Sequence, residues 1–318
     1  MSNHQRFFVG VDGGGTQTTA VVVDESWHVL GQGGAAGSNY HTVGIDDALA
    51  HIATAINEAL SAAGLGRTDI AAAGFGLAGV RRPPDFERLT PRLHGLGFER
   101  FLLDHDAAAA WAGALECQPG VIIIAGTGSV AFGVNAQGER GMAGGWGWLL
   151  GDEGSGYWIG REALRAVCAQ ADGRIPSRIT LAPAILHHLG LSSADELVDY
   201  AYQGPGLSRE QVANLTPVVL RCAEQGDCVA TDILTLAGWE LTRIACAVMI
   251  RLDMKKGCRI SYAGSVWEAE VLRDAFKDML QRKLYPDNAQ VVPPRYPPAV
   301  GAAMLARATL CQRMGVMR

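Results

Sequence analysis

Short apolar runs in the first part of this chain are separated by a glycine-rich turn, a pattern typical of a β-hairpin. The runs Phe7–Val11 and Thr19–Val23 flank the turn Asp12–Thr16, which contains three consecutive glycines. Apolar, β-branched runs on both sides of a glycine cluster predict two strands and a tight turn. Because glycine has no Cβ atom, several backbone N–H groups of such a turn can face one anion, such as phosphate. An ordinary glycine-rich hairpin capped by Asp12 would have the same pattern.

A second stretch repeats this design in the later part of the chain. The apolar run Val121–Ala125 is followed by the turn Gly126–Ser129 and by the apolar run Val130–Val134. Two hairpins of one type indicate a duplicated scaffold that holds one polyphosphate from two sides. This repetition favours a phosphate site over an ordinary hairpin.

The remaining periodicity predicts an α/β chain with two domains. Over roughly the first 115 residues the pattern is β-β-β-α-β-α, and it starts again at the second hairpin. Further strands are predicted at Val29–Gly33, Ile70–Leu77, Phe101–Leu103 and Arg259–Ala263, and helices at Asp46–Ala63, Ala107–Leu115, Arg161–Ala171, Ser193–Tyr202, Arg209–Glu224, Ala230–Ile250, Trp267–Gln281 and Ala299–Leu310. We expect one domain over residues 1–116 and a second, with a helical insertion, over 117–318, joined at Glu116–Gly120.

Composition narrows the class of protein. The 318 residues, 48% hydrophobic and 19% charged, are typical of a globular protein long enough for two cores. A net charge of -5 does not predict a nucleic-acid partner, and no apolar run approaches the roughly 18 residues of a membrane helix. Asp12 interrupts the first apolar run, so no signal peptide is predicted. Seven cysteines without a CxxC pair favour reduced thiols and a cytoplasmic location.

Other phosphate-binding motifs fit the chain less well. Gly74–Gly79 matches GxGxxG after a predicted strand, but a dinucleotide fold needs a helix to begin at that loop. Arg81-Arg82-Pro83-Pro84 follows instead and predicts no helix there. A Walker P-loop is excluded because no lysine in the chain follows a glycine.

Phosphoryl transfer requires bound phosphates, a metal ion and a base for the acceptor hydroxyl. Asp12, beside the first turn, is the candidate ligand for Mg²⁺, through water. The candidate bases are Asp104 and Asp106, which follow the predicted strand Phe101–Leu103. Strand alternation places both carboxylates on one side, so spacing does not choose between them. A carboxylate at Asp106 could also serve as a helix N-cap.

The order of these motifs resembles the actin-like sugar kinase superfamily, in the branch of N-acetylglucosamine kinases and BadF/BadG/BcrA/BcrD ATPases. The matching stretches are Gly10–Thr16, Ser38-Asn39, Asp106–Ala108, Gly126–Ser129, Gly144–Gly147, Gly151–Ser155, Tyr157–Ile159, Gly226-Asp227 and Gly264–Trp267. The resemblance implies two actin-like, ribonuclease H-like domains around an interdomain cleft. It also implies an ATP- and Mg²⁺-dependent kinase of N-acetylglucosamine that forms a homodimer.

The resemblance also implies roles for individual residues, with Asp106 as the catalytic base for the sugar 6-hydroxyl. The positions implied for ATP are Gly13, Gly14, Gly15, Thr16, Gly126, Thr127, Gly128, Ala213, Gly264 and Ser265. The positions implied for the sugar are Asn39, Asp106, Ser129, Gly145, Trp146, Gly147 and Asp152. A tryptophan such as Trp146 suits a sugar ring face, although tryptophans in this loop could instead anchor it in a core.

Two departures from the family pattern leave the sugar open. The mammalian-type kinase has an asparagine where this chain has Val130 and a serine where it has Ala78. Glucosamine is therefore an alternative substrate to N-acetylglucosamine.

A BadF-type ATPase activator would need cysteines placed around an iron–sulfur cluster, and the cysteines here show no such grouping. A sugar-sensing repressor would need a helix-turn-helix, for which no room is expected before Phe7.

Overall fold

The computed structural model describes residues 6–175, 180–203, 206–254, 257–282 and 289–313. The strands are β1 Phe7–Gly13, β2 Gln17–Val23, β3 Val29–Ala36, β4 Ile70–Leu77, β5 Phe101–His105, β6 Gly120–Ala125, β7 Ser129–Val134, β8 Arg140–Gly144, β9 Arg259–Ala263 and β10 Gln290–Val291. The α-helices are α1 Tyr40–Val43, α2 Ile45–Ala63, α3 Pro83–Leu93, α4 Asp106–Leu115, α5 Gly156–Ala171, α6 Leu181–Leu189, α7 Ala194–Tyr202, α8 Arg209–Ala213, α9 Thr216–Glu224, α10 Cys228–Arg251, α11 Glu270–Gln281 and α12 Pro298–Arg313. Short 3₁₀ turns lie at Arg67–Asp69, His94–Leu96 and Ser265–Glu268.

The described chain forms two compact α/β units. Unit 1 contains the residues up to Ile122 and those from Pro293 onward, and unit 2 contains Ile123–Val292. One five-stranded sheet has the order β3-β2-β1-β4-β5 and the other the order β10-β9-β6-β7-β8. The mixed α/β class expected from the sequence is confirmed.

The first sheet confirms the predicted N-terminal hairpin. Strand β1 pairs antiparallel with β2, from Phe8 opposite Val23 to Gly13 opposite Thr18. On its other side β1 runs parallel to β4, and β4 runs parallel to β5. Strand β1 is therefore the middle strand, and its C-terminal end lies beside the C-terminal ends of β4 and β5.

Both faces of this sheet are covered by helices. Side chains alternate along each strand, so neighbouring residues of one strand enter different cores. Val9 and Val11 of β1 belong to a core that includes Ile52 and Ile56 of α2. On the other face, Phe8 belongs to a second core formed mainly with α12. Such continuous apolar strands are expected when both faces of a sheet are buried.

The domain boundaries differ from those expected at residues 116 and 117. Helix α12 lies at the end of the chain but packs on β1 and β4 in unit 1. Two strand glycines explain the close contact: a Cβ atom on Gly10 would lie 1.9 Å from the Ala299 carbonyl oxygen, and one on Gly74 would lie 1.9 Å from that of Ala302. The predicted second domain, 117–318, included this helix, because each predicted domain was one continuous stretch of sequence.

The prediction that no helix follows the GxGxxG match is wrong, because α3 begins at Pro83. Proline is compatible with the first turn of a helix, where its missing N–H is not required. The dinucleotide interpretation still fails, since Gly74 and Gly76 lie within β4 rather than in a phosphate-binding turn. Gly76 instead gives room to Ala109 of α4, whose Cβ atom would lie 2.4 Å from a Cβ atom at position 76.

In unit 2, two predicted helices are divided. The helix predicted over Arg209–Glu224 is two helices, α8 and α9, and Pro217 lies in the first turn of the second. The helix predicted from Trp267 begins as a 3₁₀ turn before α11. Proline favours a new helix start over an unbroken helix.

Helix α10 is the core helix of unit 2. By length and composition alone it could cross a membrane, which corrects the prediction that no stretch approaches that length. In the structure, 56% of its most apolar stretch is buried, and it packs on α11, β7 and α5. Burial within the protein accounts for its apolar character.

Candidate active site

The first glycine-rich turn is held by backbone hydrogen bonds from two neighbouring segments. Gly14 N–H donates to the Gln17 carbonyl at 2.9 Å and closes the turn between β1 and β2. Ser38 N–H donates to the Gly14 carbonyl at 3.0 Å, and Ala78 N–H donates to the Gly13 carbonyl at 2.7 Å. These bonds fix the turn against the segments that follow β3 and β4.

Close approach, rather than left-handed backbone geometry, explains two of the glycines at this turn, Gly13 and Gly37. A Cβ atom on Gly13 would lie 2.3 Å from Ser38 Oγ, and one on Gly37 would lie 2.1 Å from the Gly15 carbonyl oxygen. Around Gly15 no atom lies within 4 Å of the Cβ position, and Thr16 is exposed. This edge of the turn therefore has open space for a ligand.

Two carboxyl groups approach each other at the end of the first sheet. Asp12 lies on β1 opposite Gly76 of β4, and Asp106 is the first residue of α4. A Cβ atom on Gly76 would lie 3.7 Å from Asp106 Cα, so this glycine lets α4 approach the strand next to Asp12. Burial and the negative charge of Asp106 raise the pKa of Asp12 to about 7.

The carboxyl group of Asp106 is less acidic than that of an ordinary aspartate, because it is buried. Burial raises its pKa, against the effect of a hydrogen bond of 2.8 Å that Ala107 N–H donates to Oδ1. A carboxyl group with a raised pKa is a better proton acceptor than an ordinary aspartate. The position combines this property with closeness to Asp12.

The structure bears on the two alternatives that the sequence left open for Asp106, the N-cap role and the choice between Asp104 and Asp106. It is not the N-cap of α4, because His105 occupies that position and its Nδ1 accepts a 2.9 Å hydrogen bond from Ala108 N–H. Strand alternation does not relate it to Asp104 either, since β5 ends at His105. The charge that raises the pKa of Asp12 is that of Asp106. This coupling favours Asp106 over Asp104 as the candidate base.

Asn39 lies beside the same turn. Its Oδ1 accepts a hydrogen bond from His41 N–H at 3.1 Å and caps the short helix α1. A Cβ atom on Gly79, whose φ is +85°, would lie 2.6 Å from Asn39 Oδ1. Because Ser38 is bonded to Gly14, Asn39 is held next to the glycine turn and next to the loop that contains Ala78.

A buried polar group that the sequence did not reveal supports this corner. Tyr40 Oη donates a 2.6 Å hydrogen bond to Asp85 Oδ1, and Asp85 Oδ2 accepts from Arg82 N–H at 2.7 Å. Burial alone would raise the pKa of Asp85, but these hydrogen bonds lower it to about 2. The ionised Asp85 thereby joins α3 to the residue after Asn39.

The carboxyl pair in unit 1 fits a divalent cation shared with a phosphate. Among the described residues, no group of three or more His, Cys, Asp or Glu side chains could hold a metal ion. Phosphate oxygens and water would therefore have to supply most of the ligands, which is usual for Mg²⁺. Asp12 could contribute a carboxylate, since a cation there would offset the repulsion between Asp12 and Asp106.

The second glycine turn, in unit 2, is backed by the start of α5. Gly156 N–H donates to the Gly126 carbonyl at 2.7 Å, and Tyr157 N–H donates to that of Thr127 at 3.3 Å. Gly264 has a φ of +103°, and a Cβ atom on it would lie 3.0 Å from Gly126 N, so the turn containing Ser265 lies beside this hairpin. Ala213 lies near as well, with its Cβ atom 3.6 Å from the Cβ position of Gly156. The positions predicted to bind ATP in unit 2 therefore lie together.

The predicted sugar positions of unit 2 meet around Ser129. Ser129 N–H donates to Asp152 Oδ1 at 3.3 Å, and its Oγ donates to the Glu153 carbonyl at 2.7 Å. Gly145 N–H donates to the Ser129 carbonyl at 2.9 Å. Asp152 is buried and has a φ of +60°, an uncommon conformation for a residue other than glycine. Residues held in this way often belong to functional sites.

Trp146 is exposed, contrary to the alternative that it anchors the loop in a core. It is 66% exposed, whereas Trp148 packs on Tyr157 with ring centroids 5.6 Å apart. Gly147, next to it, has a φ of +86° and accepts a hydrogen bond from Gly151 N–H at 2.8 Å. The loop therefore presents an aromatic surface at the position predicted for a sugar ring.

Arg209 also contacts this group, although its only predicted role was to start a helix. Its Nη2 donates to Asp152 Oδ2 at 3.0 Å. A Cβ atom on Gly128 would lie 2.3 Å from the same nitrogen. Arg209 and Asp152 are 57 residues apart in the sequence. No sequence motif links residues so far apart, so the pair is seen only in the folded structure.

The comparison with known families covers nearly the whole chain. The sequence profile of the BadF/BadG/BcrA/BcrD ATPase family matches residues 9–306. The chain belongs to this family. The resemblance inferred from the glycine turns and the loops between them is therefore confirmed.

Several proteins similar to this chain carry the names of sugar kinases. The chain is 32% identical over 305 residues to the N-acetylmuramic acid/N-acetylglucosamine kinase of Clostridium acetobutylicum, covering 95% of this chain and 98% of that one. It is 30% identical to the N-acetyl-D-glucosamine kinase of Dictyostelium discoideum, again covering 95% and 98% of the two chains. A crystal structure from Chromobacterium violaceum, provisionally assigned as an N-acetylglucosamine kinase, superposes with a TM-score of 0.78 at 29% identity and covers 95% of this chain and 99% of that one.

Proposed function

We propose that this protein is a kinase that transfers the γ-phosphoryl group of ATP to the 6-hydroxyl of N-acetylglucosamine, with Mg²⁺ as cofactor. The observation that carries the proposal is the carboxyl pair Asp12 and Asp106, beside a glycine turn with open space for phosphate. Family membership and relatives at 32% and 30% identity named as kinases of N-acetylated sugars support it.

In the proposed reaction Asp106 accepts the proton of the sugar 6-hydroxyl. The hydroxyl oxygen forms a bond to the γ-phosphorus, the bond from that phosphorus to the bridging oxygen breaks, and ADP leaves. The raised pKa of Asp106 suits it to take and later release this proton. Mg²⁺ held beside Asp12 would supply positive charge to the phosphates. The N–H groups and hydroxyls of the two glycine turns, with Thr16 and Thr127, would hold the phosphate oxygens.

The proposed sugar contacts are polar groups and one aromatic surface. In unit 1, Asn39 offers a side-chain oxygen to a ring hydroxyl. In unit 2, Asp152 offers carboxylate oxygens, Ser129 and Gly145 lie beside it, and Trp146 offers a ring face. Because Val130 and Ala78 replace polar residues of the mammalian-type kinase, glucosamine stays the alternative substrate.

The test is ATP consumption with a panel of sugars, measured for the wild type, Asp106→Asn and Asp104→Asn. The panel contains N-acetylglucosamine, N-acetylmuramic acid, glucosamine, glucose, N-acetylmannosamine and no sugar. We expect turnover that depends on N-acetylglucosamine and falls by about 10³-fold or more in Asp106→Asn while ATP still binds. Hydrolysis of ATP that is the same with every sugar would refute the kinase. Loss of turnover only in Asp104→Asn would refute the choice of base.

We further propose that the enzyme acts in the cytoplasm as a homodimer. Its co-substrate ATP is a cytoplasmic metabolite, and the dimer rests on the family resemblance. Light scattering of the purified protein checks the dimer, and a monomer mass at micromolar concentration would contradict it. Fractionation of cells that express the tagged chain checks the location.

A further inference from the structure

The ion pair between Arg209 and Asp152 is a partly buried charged contact in unit 2 for which the proposed reaction gives Arg209 no role. The Asp152 side chain is 3% exposed and the Arg209 side chain 35% exposed, so the pair is largely shielded from water. Ion pairs shielded in this way are costly to break, because one partner then remains as an uncompensated buried charge.

Arg209 and Ser129 together hold both oxygens of the Asp152 carboxylate. Ser129 N–H donates to Oδ1, and Arg209 Nη2 donates to Oδ2. Each carboxylate oxygen has two acceptor positions, so both oxygens can still accept a hydrogen bond from a ligand hydroxyl. The left-handed backbone of Asp152, with a φ of +60°, further restricts where the carboxylate can point.

Arg209 is itself held by its short helix α8. Ser208 and Gln211 form a reciprocal cap, with Ser208 N–H donating to Gln211 Oε1 at 2.8 Å and Gln211 N–H donating to Ser208 Oγ at 3.1 Å. The helix then packs directly on α5, since a Cβ atom on Gly160 would lie 1.9 Å from the Val212 carbonyl oxygen. The guanidinium is therefore supported by packed elements.

The second glycine turn leaves room for this pair. A Cβ atom on Gly128 would lie 2.3 Å from Arg209 Nη2 and 2.8 Å from Asp152 Oδ2. Arg209 Nε is also buried and has no hydrogen-bond partner among the residues that the structure describes. A buried nitrogen without a hydrogen-bond partner costs desolvation energy, so this arginine is more than an ordinary surface charge.

We infer that Arg209 is a positioning residue for the sugar, which orients the Asp152 carboxylate and keeps it ionised as a hydrogen-bond acceptor. This inference rests on the proposed function, in which Asp152 binds the sugar. Burial raises the pKa of Asp152, Arg209 and Ser129 N–H lower it, and the neighbouring Glu153 raises it. Without Arg209, burial and Glu153 would favour the protonated acid, which presents one hydroxyl donor in place of an acceptor.

The experiment compares the wild type with Arg209→Met, Arg209→Lys and the matched control Arg243→Met. Arg243 lies in the same unit, on α10, and forms an exposed ion pair with Glu240 at 3.0 Å. For each variant the KM for N-acetylglucosamine and the KM for ATP are measured at pH 6.5 and at pH 8.5, and sugar binding is measured by titration calorimetry. Thermal unfolding of each variant checks that it is folded.

We expect Arg209→Met to raise the sugar KM by about tenfold or more, because a charge-assisted hydrogen bond is lost, while the ATP KM stays within about twofold. The defect should be smaller at pH 8.5 than at pH 6.5, because burial raises the pKa of Asp152 and a higher pH favours its ionised form. Arg209→Lys should restore part of the affinity, and Arg243→Met should match the wild type. If Arg209→Met does not fold, Arg209→Lys decides through the same pH profile.

Three results would overturn the inference. They are an equal rise in the two KM values, an unchanged sugar KM in Arg209→Met, and a defect that is independent of pH and of the lysine substitution. The first result would place Arg209 on the phosphates instead. Failure of the proposed function has a different signature, since the wild type itself would then neither bind nor phosphorylate any amino sugar.

Discussion

At the scale of single residues, the candidate site of unit 1 contains buried carboxyl groups that affect the stability of the fold in opposite directions. Asp12 is the clearest case, because burial and Asp106 raise its pKa from its usual 3.8 to about 7. Asp85 has the opposite balance, with hydrogen bonds that lower its pKa to about 2. The first carboxyl group therefore opposes folding when it is ionised, and the second supports it.

We predict that Asp12→Asn stabilises the metal-free protein at pH 8 while it abolishes kinase activity. Between pH 3.8 and about 7 the folded state keeps a proton on Asp12 that the unfolded chain releases, so this residue lowers stability as the pH rises through that window. Removing the charge should raise the free energy of unfolding by about 1–3 kcal/mol at pH 8, with a smaller gain near pH 4. Urea unfolding at several pH values in a chelating buffer measures this.

Asp85→Asn provides the control with the opposite sign. Its contribution is present above pH 3.8 and is lost as the pH falls towards 2, so this variant should be less stable than the wild type at neutral pH. A stability gain in Asp12→Asn that is the same at every pH would show that the carboxyl charge is not the cause.

At the scale of elements, glycines in the first sheet determine how closely helices can approach it. Gly74 of β4 faces the Ala302 carbonyl of α12, with the Cβ position 1.9 Å from that oxygen. Such a distance leaves no room for a methyl group without movement of the helix backbone. The sheet and α12 therefore depend on each other for packing.

We predict that Gly74→Ala destabilises the protein by about 1–3 kcal/mol or more, because overpacking forces α12 away from the sheet. Gly95→Ala is the matched control, since no atom lies within 4 Å of its Cβ position and its φ is not positive. The control should unfold at or slightly above the wild-type temperature. Equal melting temperatures for the two variants, measured by differential scanning calorimetry, would show that α12 yields without cost.

The sequence predicted those elements whose signal is local. The hairpin β1–β2 follows from apolar runs around Gly13–Gly15, and α2 follows from apolar residues at helical spacing. Helix α3 has no such local signal, because a Pro-Pro pair usually breaks a helix and here lies in the first helical turn, where proline is compatible. The ion pair between Arg209 and Asp152 depends on tertiary packing, so no pattern along the chain could give it.

At the scale of the whole molecule, the two units are not two successive halves of the sequence. Unit 1 is completed by the residues from Pro293 onward, after the chain has formed all of unit 2. Gly301 of α12 illustrates the dependence, since a Cβ atom on it would lie 2.0 Å from the Ala109 carbonyl oxygen of α4. The end of the chain thus packs against the helix that begins with the candidate base Asp106.

We therefore predict that deletion of the residues from Pro298 onward damages the site in unit 1 and leaves the core of unit 2 folded. Loss of α12 uncovers the apolar face of the first sheet around Phe8, so amide hydrogen exchange should accelerate in β1, β4 and α4. Exchange in α10 and β7 should keep its wild-type protection. Arg307→Met, which keeps the helix but removes a side chain that donates to the Glu25 carbonyl at 2.7 Å, is the mild control. Unchanged exchange in β1 after the deletion would contradict this assignment of α12, as would loss of protection throughout both units, since the helix would then support unit 2 as well.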